Sequence, residues 1–166
     1  SRFNCLFIFF SLGLPEIIHR GTRLKSGMIG KLGTGSFLWP VPGYSGISRW
    51  ANLPYGHRGV DITAAYGTPI YAADAGTVIA AKWHNHPTMS WGYYVEIDHG
   101  NGNFTLYAHM SERLVEVGEH VEQGEVIGLC GSTGISTGPH VHYEIWENYS
   151  RINPLNRLPG YIPYWW

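Results

Sequence analysis

Surplus positive charge is missing from this chain: eleven lysines and arginines stand against twelve aspartates and glutamates, a net charge of −1 with neutral histidines. That balance excludes the electrostatic footprint expected of a nucleic-acid partner or an anionic membrane surface. Charge of either sign is scarce, at 14% of residues, and no stretch carries helical periodicity, a repeat or a coiled-coil heptad. Cysteine is nearly absent. Cys130, inside the apolar run Val126 to Cys130, reads as a buried free thiol, and its distance from Cys5 gives no spacing for zinc held by cysteine. Long hydrophobic runs are lacking too. Residues 1–14 form an apolar stretch of about a dozen residues, too short to cross a bilayer as a helix, so no stable membrane span is expected. That stretch reads either as the core of a secretory signal or as a truncated start, with Arg2 its only basic residue and no small-residue cleavage site before Pro15.

What the chain has is 22 glycines, 10 prolines and 14% aromatic residues, the profile of a turn-rich, mainly β protein of one domain. Residues 1–36 are expected to be the apolar segment followed by a flexible linker rich in Gly, Ser, Thr, Lys and Arg. The folded domain is expected over 37–158, with an aromatic tail at 159–166. Phe37 to Gly43 reads as a short opening strand stopped by prolines, and residues 44–59 as turns. Strands are predicted around Ile70–Ala73, Thr77–Lys82, Tyr93–Asp98, Phe104–Met110 and Val126–Cys130. The turn from His99 to Asn103 closes a hairpin, and a polar loop runs from His84 to Trp91. Such spacing predicts an antiparallel sheet or sandwich.

Nine histidines are a high share for a chain of this length, and imidazole is the commonest metal ligand. In Thr137-Gly138-Pro139-His140-Val141-His142-Tyr143-Glu144-Ile145-Trp146 the β-branched and aromatic residues predict a strand. Its period of two then puts His140, His142 and Glu144 on one face and Val141, Tyr143 and Ile145 on the other. Glu144 there either orients the His142 ring or forms a solvent-facing rim. His57 and Asp61, four apart, share a face in a strand or a helix, and Val60, Ile62 and Thr63 favour the strand. Two imidazoles and a carboxylate suit zinc with a water in the fourth position, an open and catalytic arrangement.

The order of the pieces says more than any one of them. His57-Arg58-Gly59-Val60-Asp61, Gly67-Thr68-Pro69-Ile70, Tyr107-Ala108-His109-Met110, Gly131 to Glu144 and Asn153-Pro154 together resemble the lysostaphin/LytM-type peptidoglycan endopeptidases over about residues 37–156. The resemblance implies a single antiparallel β domain with a narrow groove, built on a duplicated hybrid motif. It implies one zinc ion per chain on His57, Asp61 and His142, and unligated catalytic roles for His109 and His140. The implied substrate is the cross-bridge or stem peptide of bacterial peptidoglycan. The expected protein is a monomer, secreted or in the bacterial envelope; a phage-borne enzyme would read the same way. Two departures stand out: Tyr55, two positions before His57, does not align cleanly with the family's oxyanion-donating tyrosine, and Val141 replaces the usual Leu.

Other candidates carry weaker signals. His84 and His86 either border the groove or belong to an ordinary loop, His99 reads as part of the hairpin turn, and Trp91, Tyr93 and Trp146 either stack on substrate or pack the sheet. Two other functions stand beside the leading one: a zinc peptidase acting on another Gly-rich substrate, and a non-catalytic envelope module that regulates a partner hydrolase.

Overall fold

The computed structural model describes residues 32–44, 46–53, 56–88 and 90–159. The N-terminal apolar stretch, most of the expected linker, Cys5, Tyr55 and the aromatic tail from residue 160 lie outside the described residues.

Ten strands form one sheet: β1 (Ile47–Arg49), β2 (Val60–Thr63), β3 (Pro69–Tyr71), β4 (Gly76–His84), β5 (Gly92–Gly100), β6 (Asn103–Arg113), β7 (His120–Val121), β8 (Val126–Cys130), β9 (His140–Glu147) and β10 (Ser150–Ile152). The main path runs β1-β2-β9-β6-β5-β4-β7, with β10 on β9, β8 on β6 and β3 on β8, and every pairing is antiparallel. Among the described residues the helical content is one 3-10 turn, Pro154–Asn156, whose first amide is capped by the Asn153 side chain. The mainly β, antiparallel expectation holds. No helix among the described residues is long and apolar enough to cross a membrane.

Strand alternation divides the sheet into two faces. Val60 and Ile62 of β2, Val95 and Ile97 of β5, Tyr107 of β6, and Val141, Tyr143 and Ile145 of β9 bury the main core. The opposite face carries Asp61, His142 and Glu144, with a smaller apolar cluster of Ala80, Tyr94, Leu106 and Ala108 under Trp91 and Trp146. Thus the polar face is the floor of a cleft.

Two local expectations are corrected. Phe37 to Gly43 is an extended strap rather than a strand: Leu38 donates to the Ala73 carbonyl and Tyr71 donates to that of Pro40, but Pro40 and Pro42 have no N–H to continue a ladder. Just before the strap, the Gly33 amide donates to the His99 carbonyl and Thr34 and Gly35 donate to the buried Asp74 carboxylate. His99 belongs to the core, not the turn. Its Nδ1 donates to the Ala75 carbonyl and its Nε2 lies 2.7 Å from the Thr105 hydroxyl. Cys130 is a buried free thiol, pushed up to about 11 by burial.

Candidate metal centre

Neighbouring strands bring the two halves of the centre together. In the β2–β9 ladder Asp61 stands opposite His142, and in the β6–β9 ladder His142 stands opposite Ala108. His57 is not on a strand, as its spacing from Asp61 had suggested; it precedes β2, and the chain turns at Arg58 and Gly59. A Cβ on Gly59 would collide with the Tyr143 carbonyl oxygen, so the absence of a side chain lets the turn pass against β9 and bring His57 back over the cleft. His57, Asp61 and His142 offer ligand atoms that all lie within 4.8 Å of one another.

The contacts are closer than that bound. His57 Nε2 lies 3.0 Å from His142 Nδ1 and 3.0 Å from Asp61 Oδ1, while His142 Nδ1 lies 2.8 Å from the same oxygen. The far nitrogen of each ring meets an acceptor: His57 Nδ1 is 3.2 Å from the Trp50 carbonyl, and His142 Nε2 is 2.9 Å from Glu144 Oε1. A far-side acceptor holds the single proton of a neutral imidazole on the far nitrogen. Three lone pairs then face a common point, and a cation among them satisfies all three. The donor set therefore fits a metal ion. Burial opposes charge on His142, but Asp61 and Glu144 outweigh it and raise its pKa. Burial likewise opposes ionisation of Asp61, yet hydrogen bonds from His142 and His57 hold its carboxyl well below the usual carboxylate range.

Glu144 is wholly buried, not a solvent-facing rim. Its second oxygen accepts from Arg151 Nε at 2.7 Å, and the Arg151 guanidinium lies over the Trp146 ring, 4.5 Å from its centroid. A chain of contacts thus runs from Asp61 through His142 and Glu144 to Arg151 on β10. Burial raises the Glu144 pKa, but hydrogen bonds and charge from His142 and Arg151 bring it below the ordinary value. Arg151 was not singled out from the sequence; the signal available was a fully buried acid beside His142, which needs a cation.

His109 and His140 stand beside this triad with ring centroids 4.6 Å apart. His140 Nε2 is 3.8 Å from Asp61 Oδ1, and its Nδ1 is 2.8 Å from the Gly138 carbonyl. His109 Nδ1 is 2.7 Å from the Thr133 carbonyl. Strict alternation would put His109 on the core face with Thr105 and Tyr107. The β5–β6 register slips between Tyr107↔Val95 and Met110↔Tyr93, and His109 takes a left-handed φ of 62°. This bulge turns the imidazole onto the cleft face and leaves Met110 in the core. Burial pushes His109 down to about 4.

The cleft has a volume of about 490 Å³. Thr88, Ser90 and Trp91 line one wall, Ile135, Ser136 and Thr137 another, and Ser48, Arg49 and Arg58 a third. His84 packs against Trp91 with centroids 4.7 Å apart, and neither His84 nor His86 lines the cleft. Tyr93 packs under Trp83 and Arg113, away from it.

Residues 55–154 match peptidase family M23. The chain is 43% identical over 107 residues to the peptidoglycan DD-endopeptidase ShyA of Vibrio cholerae, an alignment covering 64% of this chain and 23% of that protein. Among solved structures, a zinc-containing peptidase from Vibrio cholerae superposes with a TM-score of 0.60 at 28% identity, covering 74% of this chain and 39% of that one. The catalytic domain of the antimicrobial peptidase lysostaphin from Staphylococcus simulans superposes with a TM-score of 0.56 at 31% identity, covering 68% and 87%. The chain spans less than a quarter of the length of the first curated relatives it matches.

Proposed function

The chain belongs to peptidase family M23, and from that premise we propose that it is a zinc endopeptidase hydrolysing peptide bonds in the cross-bridges or stem peptides of bacterial peptidoglycan. The observation that carries the reading is the convergence of His57 Nε2, His142 Nδ1 and Asp61 Oδ1, with each far-side imidazole nitrogen held by an acceptor. These three residues would hold the metal. Zinc supplies Lewis acidity at the scissile carbonyl and an acidified water.

The remaining chemistry belongs to the chain. His109 and His140 each donate from Nδ1 to a backbone carbonyl, which leaves each Nε2 lone pair free. One imidazole takes a proton at Nε2 as water attacks the carbonyl and returns it to the leaving amine nitrogen. The buried, neutral His109 is available for this at neutral pH. The other imidazole, once protonated, donates to the developing oxyanion. Glu144, anchored by Arg151, keeps the His142 ring oriented and its Nδ1 unprotonated. An intact donor set with paired histidines favours hydrolysis over a binding-only envelope module.

We assign this activity to a catalytic domain over 37–158, acting in the bacterial envelope or outside the cell. The test is digestion of purified peptidoglycan after chelation and zinc add-back. Digestion should return with zinc in the wild type and stay absent in His142→Ala. Digestion by the chelated protein at the full rate would overturn the reading.

A further inference from the structure

The β1–β2 ladder contains an irregularity that exposes a cation to the cleft. Ile47 stands opposite Ile62, both toward the core, yet Arg49 stands opposite Asp61 rather than opposite Val60. The extra residue is Ser48, whose hydroxyl donates to the Asp61 carbonyl at 3.3 Å. In a regular ladder Arg49 would share the core face with Ile47. The one-residue slip reverses that and puts Arg49 on the same face as Asp61, directly across from a residue of the metal triad. Positions opposed in this way hold their Cβ atoms roughly 5 Å apart.

Arg58, next to His57, lines the same wall. Neither arginine side chain makes a hydrogen bond, ion pair or ring contact among the described residues. The acids of the cleft are already committed, Asp61 to His57 and His142, and Glu144 to His142 and Arg151. Two guanidinium groups therefore face the open cleft with no carboxylate among the described residues to meet them. Guanidinium groups match carboxylates through paired N–H donors in a fixed plane.

We propose that Arg49, assisted by Arg58, determines specificity by binding a free carboxylate on the amine-side residue of the substrate, borne by the carbon attached to the scissile nitrogen. This rests on the endopeptidase reading above and deepens it. A carboxylate at that place lies beside the scissile bond, as Arg49 lies beside the metal triad. Directly cross-linked stem peptides, joined through a diamino acid with a free carboxylate, carry such a group; glycine bridges carry none. The preferred substrate class is thus an acidic stem-peptide cross-link.

The test uses two synthetic cross-linked peptides that differ only in whether this carboxylate is free or amidated, cut by zinc-loaded wild type, Arg49→Gln, and the Arg49→Gln, Arg58→Gln double variant. Wild type should cut the free acid at least about tenfold more efficiently in kcat/KM, mainly through KM. The double variant should lose that preference, cutting the free acid and the amide with similar efficiency. Equal efficiency on both substrates in wild type, or an equal loss on both in the variants, overturns the inference and leaves the endopeptidase reading standing. Failure of wild type to cut either substrate or purified peptidoglycan overturns the reading itself.

Discussion

Asp61 Oδ1 and His142 Nδ1 meet at 2.8 Å across the β2–β9 ladder, where the two residues occupy directly opposed positions. The contact joins parts of the chain 81 residues apart, so the sheet has to assemble before the donor set exists. A metal held there as proposed would therefore couple its binding to folding of this region.

Replacing His142 or Asp61 by Ala is expected to abolish stoichiometric zinc and turnover together. His109→Ala and His140→Ala should retain zinc and lose turnover, by roughly a hundredfold or more, the usual contribution of a positioned acid or base. Metal analysis of the four purified variants checks this. A full complement of zinc in His142→Ala would contradict the ligand assignment.

Glu144 meets His142 and Arg151 meets Glu144, so in the proposed centre the pair would act on the metal through His142. Glu144→Gln, and Arg151→Met with its uncharged side chain, should weaken zinc affinity about 10- to 100-fold without removing the cleft. Competition with a chromophoric chelator reads the affinity directly. Unchanged zinc affinity in both variants would mean that the buried Glu144–Arg151 pair serves packing alone.

His109 gives a pH signature. Burial holds its folded pKa at about 4, below the value of 6.5 for an unperturbed imidazole. Above about pH 6.5 the group is neutral in both states and its contribution to stability is fully present. As pH falls from there to about 4 the unfolded chain takes up the proton first, and stability declines by on the order of 3 kcal/mol. Denaturant titrations across that window should show a shallower decline for His109→Gln than for wild type. Parallel profiles would remove His109 as the source.

Gly59→Ala should destabilise the fold by on the order of 3 kcal/mol, because the new methyl group meets the Tyr143 backbone carbonyl, which the sheet prevents from moving. Thermal unfolding measures this. An unchanged midpoint would show that the turn before β2 yields readily.

Deleting residues 1–36 should leave the protein less stable than deleting 1–31, because it removes Thr34 and Gly35 from the buried Asp74 carboxylate. The second deletion leaves an acid that is fully buried in the intact fold without those two donors. Equal stability of the two truncations would place the domain start at Phe37 rather than upstream of it.

The period of two made much of the site legible before any coordinates. It put His140, His142 and Glu144 on one strand face, and it placed the strands from β4 to β6 and β8 close to where they lie. What alternation could not reveal are the places where it breaks. His109 and Arg49 both carry core-face parity, and each reaches the cleft through a bulge that inserts one residue into the ladder. Their side chains gave no hint of this, since a bulge is set by pairing with a distant strand. Arg151 was hidden for a related reason: its partner, Glu144, lies across the β9–β10 hairpin, and only the burial of that acid demands a cation. The strand expected at Phe37 to Gly43 is a strap instead because Pro40 and Pro42, which were expected only to end it, leave no N–H to start a ladder.

The most direct measurement is mass spectrometry of a purified cross-linked peptidoglycan fragment incubated with the zinc-loaded protein. The account predicts two products whose combined mass exceeds that of the fragment by one water, formed by wild type and absent with His140→Ala at equal zinc content. An intact fragment after incubation with fully loaded wild type would contradict it.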